Sequence, residues 1–213
     1  MSFPLLLGHR GARAVKSIPE NTFASFDRAL VDGCDGFEFD VRLTADGEAV
    51  ICHDPAVGKV KIAKAKAQDL PGLLHLQELL DRYQQAFLDV ELKVTGLEKL
   101  TVGALKGRSP GRYLVSSFLP EVLTAVHAID ATIPLGLICE KPAQLAVWKD
   151  LPIQYLIPQR KLVTKELIDE AHAAGKKVLV WTVNAAAEIK RMAELDVDGI
   201  ISDNPKRLKA SLR

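Results

Sequence analysis

Short apolar runs alternate with amphipathic stretches along the whole chain. In residues 164–174, for example, Leu167, Ile168 and Ala171 recur at helical spacing before Gly175, which predicts a helix that ends there. The apolar runs predict strands at residues 5–7, 36–41, 87–91, 113–116, 135–138, 155–157, 177–181 and 199–201. The amphipathic stretches predict helices at residues 22–31, 76–84, 97–105, 120–128, 142–148, 164–174, 185–194 and 205–212.

This alternation favours a parallel sheet, because parallel neighbours need a crossover connection, which is usually a helix. Eight such units predict an α/β fold of the (β/α)₈ TIM-barrel type, formed by one domain over residues 1–213. A doubly wound open sheet stays an alternative. The chain is short for an eightfold barrel, so its insertions must be small.

One segment interrupts the alternation, between the second strand and its helix. Residues 42–52 predict a small hairpin with Asp46 and Gly47 in the turn. Residues 54–72 then carry four lysines and little core pattern. They indicate a surface insertion, which is a candidate for a partial lid.

The charge balance limits the partners that the chain is expected to bind. Its 28 basic and 27 acidic residues leave a net charge of +1, so we expect no nucleic-acid binding and no stable membrane association. Cys34, Cys52 and Cys139 are widely spaced in apolar context and predict reduced thiols. With a start that lacks a signal-peptide pattern, they indicate a cytoplasmic protein. The oligomeric state stays open.

Acidic residues lie at the carboxyl ends of two predicted strands, which is the end where a βα barrel carries its active site. Glu38 and Asp40 are two positions apart and therefore share a face of their strand, and Glu91 and Lys93 are spaced in the same way. Three converging carboxylates repel one another without a cation, and the hard ions Mg²⁺ and Ca²⁺ prefer oxygen ligands. Glu38, Asp40 and Glu91 therefore predict a site for one divalent cation. In the alternative, these acids only pair with Lys93 and Arg42.

Two histidines are expected at the same end of the barrel. His9 follows the first strand, and His53 follows the hairpin. Such a pair can supply both a base and an acid near neutral pH, on either side of a phosphorus atom. Arg10 and Lys93 would hold the non-bridging phosphate oxygens, Arg10 in bidentate fashion.

Two aromatic residues, Phe118 and Trp181, lie at strand ends, where a core role is weaker than usual, and we expect them to line the pocket. Glu20 precedes Asn21 and Thr22, either of which can cap the following helix. This capping leaves Glu20 available either for a substrate contact or for supporting a residue that makes one.

The run from Asp203 to Pro205 is explained by a cap with proline in the first helical turn.

Together these residues resemble the glycerophosphodiester phosphodiesterases, and the short single-domain form is most similar to the bacterial cytosolic enzymes. The resemblance spans nearly the whole chain in the family's order. Its motifs are Gly8-His9-Arg10-Gly11, Pro19-Glu20-Asn21-Thr22, Phe26, Gly36-Phe37-Glu38-Phe39-Asp40-Val41, Thr44-x-Asp46-Gly47, His53-Asp54, Glu91-Leu92-Lys93, Ser117-Phe118, Trp181-Thr182-Val183-Asn184 and Asp198-Gly199-Ile200-Ile201-Ser202-Asp203-Asn204-Pro205.

The resemblance implies a small-molecule substrate, a glycerophosphodiester such as glycerophosphocholine or glycerophosphoethanolamine. Hydrolysis would give sn-glycerol 3-phosphate and an alcohol, in phospholipid and glycerol metabolism. His9 and His53 would be the acid/base pair, and Glu38, Asp40 and Glu91 would ligate the metal. The attacking hydroxyl could belong to water or to the glycerol itself.

The sequence departs from the family in one place. The Arg-Thr-Thr stretch and glycine-rich loop that commonly follow the His-Asp pair are missing from residues 55–61, which leaves the preferred alcohol open.

The sequence argues against three alternative functions. A phosphosugar isomerase or aldolase would carry glycines after the last strand, where this chain has Asp203. A lysophospholipid substrate would call for an apolar rim or a basic docking helix, whereas the sequence offers only the scattered lysines of residues 54–72. A non-catalytic barrel would lack a metal ligand or a histidine, and all five are present.

Overall fold

A computed structural model describes residues 3–109 and 111–212. Within these ranges eight parallel strands, β1 to β8, form a closed barrel in which each strand pairs with the next and β8 pairs with β1. The TIM-barrel prediction is therefore confirmed against the open sheet. Residues 1, 2, 110 and 213 of the predicted domain lie outside the described ranges. The first two of them belong to the stretch from which the absence of a signal peptide was expected. The strands are Leu5–His9, Gly36–Leu43, Phe87–Leu92, Tyr113–Ser117, Leu135–Cys139, Tyr155–Pro158, Lys177–Val180 and Gly199–Ser202.

Seven α-helices, α1 to α7, lie among the described residues and pack on the outside of the barrel. Their ends fall within about two residues of the predicted ones, because caps such as Thr22 and Thr164 accept hydrogen bonds from the first helical turn. The helices are Phe23–Val31, Leu76–Arg82, Glu98–Leu105, Pro120–Ile129, Lys165–Ala173, Ala186–Glu194 and Pro205–Ser211.

The helix predicted at residues 142–148 is wrong in type. The structure has a 3₁₀ segment at Pro142–Asp150 between β5 and β6. Only Trp148 of this segment is buried, so it lacks the continuous apolar face through which tertiary packing usually stabilises an α-helix.

Successive side chains along each strand point alternately into and out of the barrel, and the inward-pointing ones below the site are apolar. Seven side chains fill the middle of the barrel: Leu7, Phe87, Leu114, Ile138, Ile157, Leu179 and Ile201. Side chains two positions further along a strand point to the same face. The residues that follow these seven at that spacing include His9, Trp181 and Asp203, so the barrel interior changes from apolar to polar toward the carboxyl ends of the strands.

The predicted hairpin is confirmed: a short strand, Ala49–Ile51, pairs antiparallel with the end of β2. Residues 54–72 form a two-stranded ribbon followed by two 3₁₀ turns. Contrary to the expectation of little core, Ile62 and Leu70 are buried in a small cluster with Val50. The segment contributes no residue to the central cavity and lies beside it, next to His53.

No helix in the described ranges is long and apolar enough to span a membrane. Cys34, Cys52 and Cys139 are all free thiols, as predicted.

Candidate active site

A cavity of about 270 Å³ opens at the carboxyl ends of the barrel strands. It brings together residues that are far apart in the sequence but share this end of the barrel. Eight of the ten residues predicted for the site line it: His9, Arg10, Glu38, His53, Glu91, Lys93, Phe118 and Trp181. The other two, Asp40 and Glu20, lie behind these side chains.

A tight turn after β1 presents His9 and Arg10. Arg10 has a left-handed backbone with φ of 51°, and Gly11 follows with φ of 84°. A Cβ atom on Gly8 would lie 2.4 Å from the carbonyl oxygen of Gly11, so only glycine allows this close approach. The Arg10 carbonyl accepts hydrogen bonds from Asn21 N and Ser25 Oγ, which fixes the turn against the start of α1.

His9 is held by a partly buried hydrogen-bond network behind it. Its Nδ1 lies 2.6 Å from Asp203 Oδ1, while its Nε2 lies 3.8 Å from Glu38 Oε2 on the cavity side. Asp203 Oδ2 accepts a hydrogen bond from Asn184 Nδ2 at 2.6 Å. Burial alone would raise the pKa of Asp203, but the hydrogen bonds from His9 and Asn184 and the nearby Arg13 lower it to about 2. An ionised Asp203 accepts a hydrogen bond from His9 Nδ1–H, which leaves Nε2 for the cavity.

His53 approaches the cavity from the loop after the hairpin, and its side chain is 36% exposed. Arg42 Nε donates to the His53 carbonyl oxygen at 2.8 Å, and His53 Nδ1 lies 2.7 Å from Asp54 Oδ1. Burial lowers the pKa of His53, and the Asp54 contact offsets part of this effect. The lowered pKa favours a neutral imidazole near pH 7, the form that can accept a proton.

The three predicted metal ligands come together on β2 and β3. Asp40 and Glu91 are paired in register, and one ligand atom from each of Glu38, Asp40 and Glu91 lies within 4.8 Å of the other two. Glu38 Oε1 is buried and has no hydrogen-bond partner in the described structure. Burial and the neighbouring carboxylates raise the pKa of Glu38 well above its usual value and that of Glu91 to about 7. Crowded acids with an unsatisfied oxygen fit a hard divalent cation.

Two cationic side chains lie among these acids. Lys93 Nζ lies 2.6 Å from Glu91 Oε1 and 3.3 Å from Asp40 Oδ1, and Arg10 Nε lies 3.2 Å from Asp40 Oδ2. Burial alone would raise the pKa of Asp40, but Arg10, Lys93 and a hydrogen bond from Asn21 hold it below its usual value. The alternative of simple ion pairing thus holds in part for Lys93, whereas Arg42 contacts the His53 carbonyl instead.

When all three acids are ionised, the charges of these five side chains do not cancel without a further cation. Ionised Glu38, Asp40 and Glu91 carry three negative charges, against two positive charges on Arg10 and Lys93. A divalent cation and a singly charged phosphodiester would bring the sum to zero. The donor set therefore fits one divalent cation together with a phosphodiester.

Glu20 does not line the central cavity, although the sequence indicated a substrate contact for it. Its Oε1 accepts a hydrogen bond from Arg10 Nη1 at 2.8 Å, and its Oε2 accepts one from Arg13 Nε at 2.6 Å. The reason is the left-handed turn at Arg10, which directs the guanidinium back toward the start of α1. Glu20 thus positions Arg10.

An apolar and aromatic wall also lines the cavity, and Lys93 Nζ lies 5.6 Å from the centroid of its Phe118 ring. Phe118 and Trp181 meet edge to face, with ring centroids 5.6 Å apart, and Trp181 Nε1 donates to the Ile157 carbonyl oxygen at 3.1 Å. Ile138 and Ile201 complete this wall. Glu140, which follows β5, adds a carboxylate to the cavity lining and is exposed to solvent. The cavity lining therefore combines charged groups with an apolar surface suited to carbon-rich groups.

Sequence reasoning missed Asp89, which lines the cavity two positions before Glu91. The spacing of two that paired Glu91 with Lys93 could have found it. Asp203 was explained only as part of a helix cap, and Asn204 alone serves that purpose by accepting from Arg207 N. Asn21 was treated as a possible cap, whereas Thr22 is the cap and Asn21 donates to Asp40.

Comparison with known proteins shows what this barrel is similar to. The sequence matches the profile of the glycerophosphoryl diester phosphodiesterase family over residues 9–87 and 75–207. It is 28% identical to a glycerophosphodiester phosphodiesterase of Caldanaerobacter subterraneus subsp. tengcongensis, over 96% of both chains. A similar relative in Bacillus altitudinis is 29% identical over 95% of both chains.

Solved structures show the same architecture. A phosphodiesterase from Oleispira antarctica, solved in complex with its product sn-glycerol-3-phosphate, superposes with a TM-score of 0.85 at 26% identity, covering 98% of this chain and 96% of that one. A glycerophosphodiester phosphodiesterase from Thermotoga maritima superposes with a TM-score of 0.86 at 23% identity, covering 100% of both chains. At that lower identity the second match supports the fold alone.

Proposed function

The chain belongs to the glycerophosphoryl diester phosphodiesterase family, and on that premise we propose that it hydrolyses glycerophosphodiesters to sn-glycerol 3-phosphate and an alcohol. The observation that carries the proposal is the cavity itself. It brings His9 and His53 together with a carboxylate cluster, two cationic side chains that can hold a phosphate, and an apolar wall. The product bound by the Oleispira antarctica relative supports it. Such a reaction would serve phospholipid and glycerol metabolism.

One divalent cation, Mg²⁺ or Ca²⁺, would be held by Glu38, Asp40 and Glu91. Their oxygens are the type of ligand that both ions prefer, and Glu38 Oε1 has no other partner among the described residues. A bound cation would neutralise phosphate charge and orient the diester, as metal ions do in phosphoryl transfer.

Arg10 and Lys93 would hold the non-bridging phosphate oxygens. Their side chains are only 11% and 13% exposed, yet both residues line the cavity. Glu20 and Asp40 orient Arg10, and Glu91 and Asp40 orient Lys93, so these donors need little rearrangement to meet a phosphate. Pre-organised donors of this kind stabilise charge that develops in the transition state.

His9 and His53 would move the protons of the reaction. A hydroxyl oxygen attacks phosphorus, one imidazole takes the proton of that hydroxyl, and the bond from phosphorus to the alcohol oxygen breaks. The other histidine, as an imidazolium, gives its proton to the departing alkoxide, so charge and protons balance. Asp203 holds His9 so that Nε2 is free for this transfer. The attacking hydroxyl is that of water or of the glycerol unit.

The leaving alcohol would lie along the apolar wall. Phe118, Trp181 and the solvent-exposed Glu140 form a surface that is aromatic and carries one negative charge. Aromatic faces and a carboxylate attract quaternary and primary ammonium groups. We therefore propose choline and ethanolamine as alcohols that this site accepts.

The proposal is tested by following glycerophosphocholine hydrolysis with ³¹P NMR in the presence of Mg²⁺. We expect sn-glycerol 3-phosphate and choline as the products. Release of phosphocholine and glycerol would show that the other ester bond is cut, and failure to hydrolyse any glycerophosphodiester would overturn the proposal.

A further inference from the structure

A fourth acidic residue, Asp89, lies at the bottom of the cavity and has no role in the reaction described above. It precedes Glu91 by two positions on β3 and is paired in register with Glu38 of β2. It therefore lies one step deeper in the barrel than the pair formed by Asp40 and Glu91. Although Asp89 is only 1% exposed, it lines the cavity.

Among the described residues, only one carboxylate oxygen of Asp89 has a hydrogen-bond partner. Oδ1 accepts a hydrogen bond from Ser116 Oγ at 2.5 Å, whereas Oδ2 is buried without a hydrogen-bond partner anywhere in the described ranges. The nearby cations are paired elsewhere, since Arg10 contacts Asp40 and Lys93 contacts Asp40 and Glu91. A buried carboxylate oxygen without a donor is costly. The group that fills the cavity is therefore expected to bring a donor to Oδ2.

The surroundings of Asp89 select the kind of donor. Ile138, Ile157 and Ile201 line the same cavity, so a polar group that reaches Asp89 enters an apolar region. A phosphate would be repelled by the carboxylate, and a trimethylammonium group has no N–H to donate. A primary ammonium has N–H donors, but its charge would lose its hydration among the isoleucines. A neutral hydroxyl can donate one hydrogen bond to Oδ2 and place its carbon atoms against the isoleucines.

We propose that Asp89 Oδ2 accepts a hydrogen bond from a hydroxyl of the glycerol unit and so selects glycerol over other groups esterified to the phosphate. The inference rests on the proposed function and adds a substrate-binding residue to it. Asp89 is then a specificity determinant for the half of the substrate that all glycerophosphodiesters share, whichever alcohol is released.

The test compares two variants on two substrates, glycerophosphocholine and bis(p-nitrophenyl) phosphate, which lacks glycerol. Asp89→Ala removes the acceptor, and we expect a loss in kcat/KM on the order of 10- to 100-fold for glycerophosphocholine alone, the range of a hydrogen bond to a charged group. Asp89→Asn keeps an acceptor toward the glycerol, because its NH₂ can donate to Ser116 Oγ, so we expect it to retain most of the activity. Calorimetric Mg²⁺ affinity should be the same in all three proteins.

A second measurement changes the ligand instead of the protein, so it does not depend on whether a variant folds. The Mg²⁺-loaded wild type should bind sn-glycerol 3-phosphate on the order of 10- to 100-fold more tightly than n-propyl phosphate, which has no hydroxyl, and Asp89→Ala should abolish this preference. An equal loss of activity on both diesters, a weakened Mg²⁺ affinity, or no preference in the wild type would overturn the assignment. If the wild type hydrolyses bis(p-nitrophenyl) phosphate but no glycerophosphodiester, the proposed function fails instead.

Discussion

The contact between Asp203 and His9 allows a sharp test of the proposed acid/base pair, through the substitution Asp203→Asn. Asp203 Oδ2 accepts from Asn184 Nδ2, and the Asn184 amide cannot turn round, because its Oδ1 accepts from Ser202 Oγ and from the backbone N–H of Asp203. The amide introduced at position 203 must therefore direct its oxygen toward Asn184 and its NH₂ toward His9.

This orientation reverses the tautomer of His9. An NH₂ group facing Nδ1 makes that nitrogen an acceptor, so the proton moves to Nε2, the nitrogen on the cavity side. The substitution also removes the negative charge that stabilises an imidazolium. We expect kcat for glycerophosphocholine to fall by a factor on the order of 10² to 10⁴, with the barrel intact.

The assay is steady-state release of sn-glycerol 3-phosphate at saturating Mg²⁺, with Asp198→Asn as the matched control. Asp198 Oδ2 lies 2.8 Å from His172 Nε2, so the control makes the same change in another His–Asp pair. Asp198 precedes β8, at the end of the barrel away from the cavity, and this variant should keep kcat within about threefold of wild type. If Asp203→Asn were equally active, the reasoning that His9 transfers a proton through Nε2 would be refuted.

Three further outcomes are expected. His53→Ala should lower kcat by a factor on the order of 10² while leaving the melting temperature nearly unchanged, because its side chain is partly exposed on a loop, and near-normal turnover would exclude it from proton transfer. Glu140→Gln should raise KM for glycerophosphocholine by about two- to fivefold but not that for glycerophosphoglycerol, whose alcohol is uncharged; an equal change for both would remove charge recognition from Glu140. Burial raises the pKa values of Asp89 and Glu91 to about 7, above their unfolded values, so the native state binds more protons than the unfolded state between about pH 4 and pH 7. The melting temperature of the metal-free protein should therefore fall as pH rises across this window, and Mg²⁺ should stabilise it more at pH 8 than at pH 5.5; a Mg²⁺ effect independent of pH would contradict the assigned ligands.

The barrel could be predicted from the sequence because short apolar runs, which predict strands, alternate with amphipathic stretches, which predict helices. Caps such as Thr22 and Thr164 are local signals, and they placed the helix ends closely. The helix predicted at residues 142–148 was given the wrong type, because the contact of this segment with the barrel through Trp148 is a tertiary feature that local spacing does not reveal.

The candidate site could be predicted as far as strand ends and two-residue spacing allow. His9, Glu38 and Glu91 follow from that geometry alone. The network behind them depends on contacts between distant segments, such as Asp203 with His9, 194 positions apart, and Asp89 with Ser116, 27 positions apart. Asp203 also had a sufficient local explanation in the helix cap, which concealed its contact with His9.

The backbone conformation at Arg10 was likewise hidden from the sequence. Its left-handed φ of 51° turns the guanidinium toward Glu20 as well as toward Asp40. Glu20 therefore contacts Arg10 and supports it, which is one of the two roles that the sequence left open; a direct substrate contact stays a prediction.

The most direct test of the central claim is hydrolysis of glycerophosphocholine by the same preparation before chelation, after complete removal of metal, and after Mg²⁺ or Ca²⁺ is restored, with release of sn-glycerol 3-phosphate as the readout. If Glu38, Asp40 and Glu91 hold a cation that the reaction needs, chelation should abolish product release and the restored ion should recover it. Release of sn-glycerol 3-phosphate that persists after complete metal removal would contradict the account.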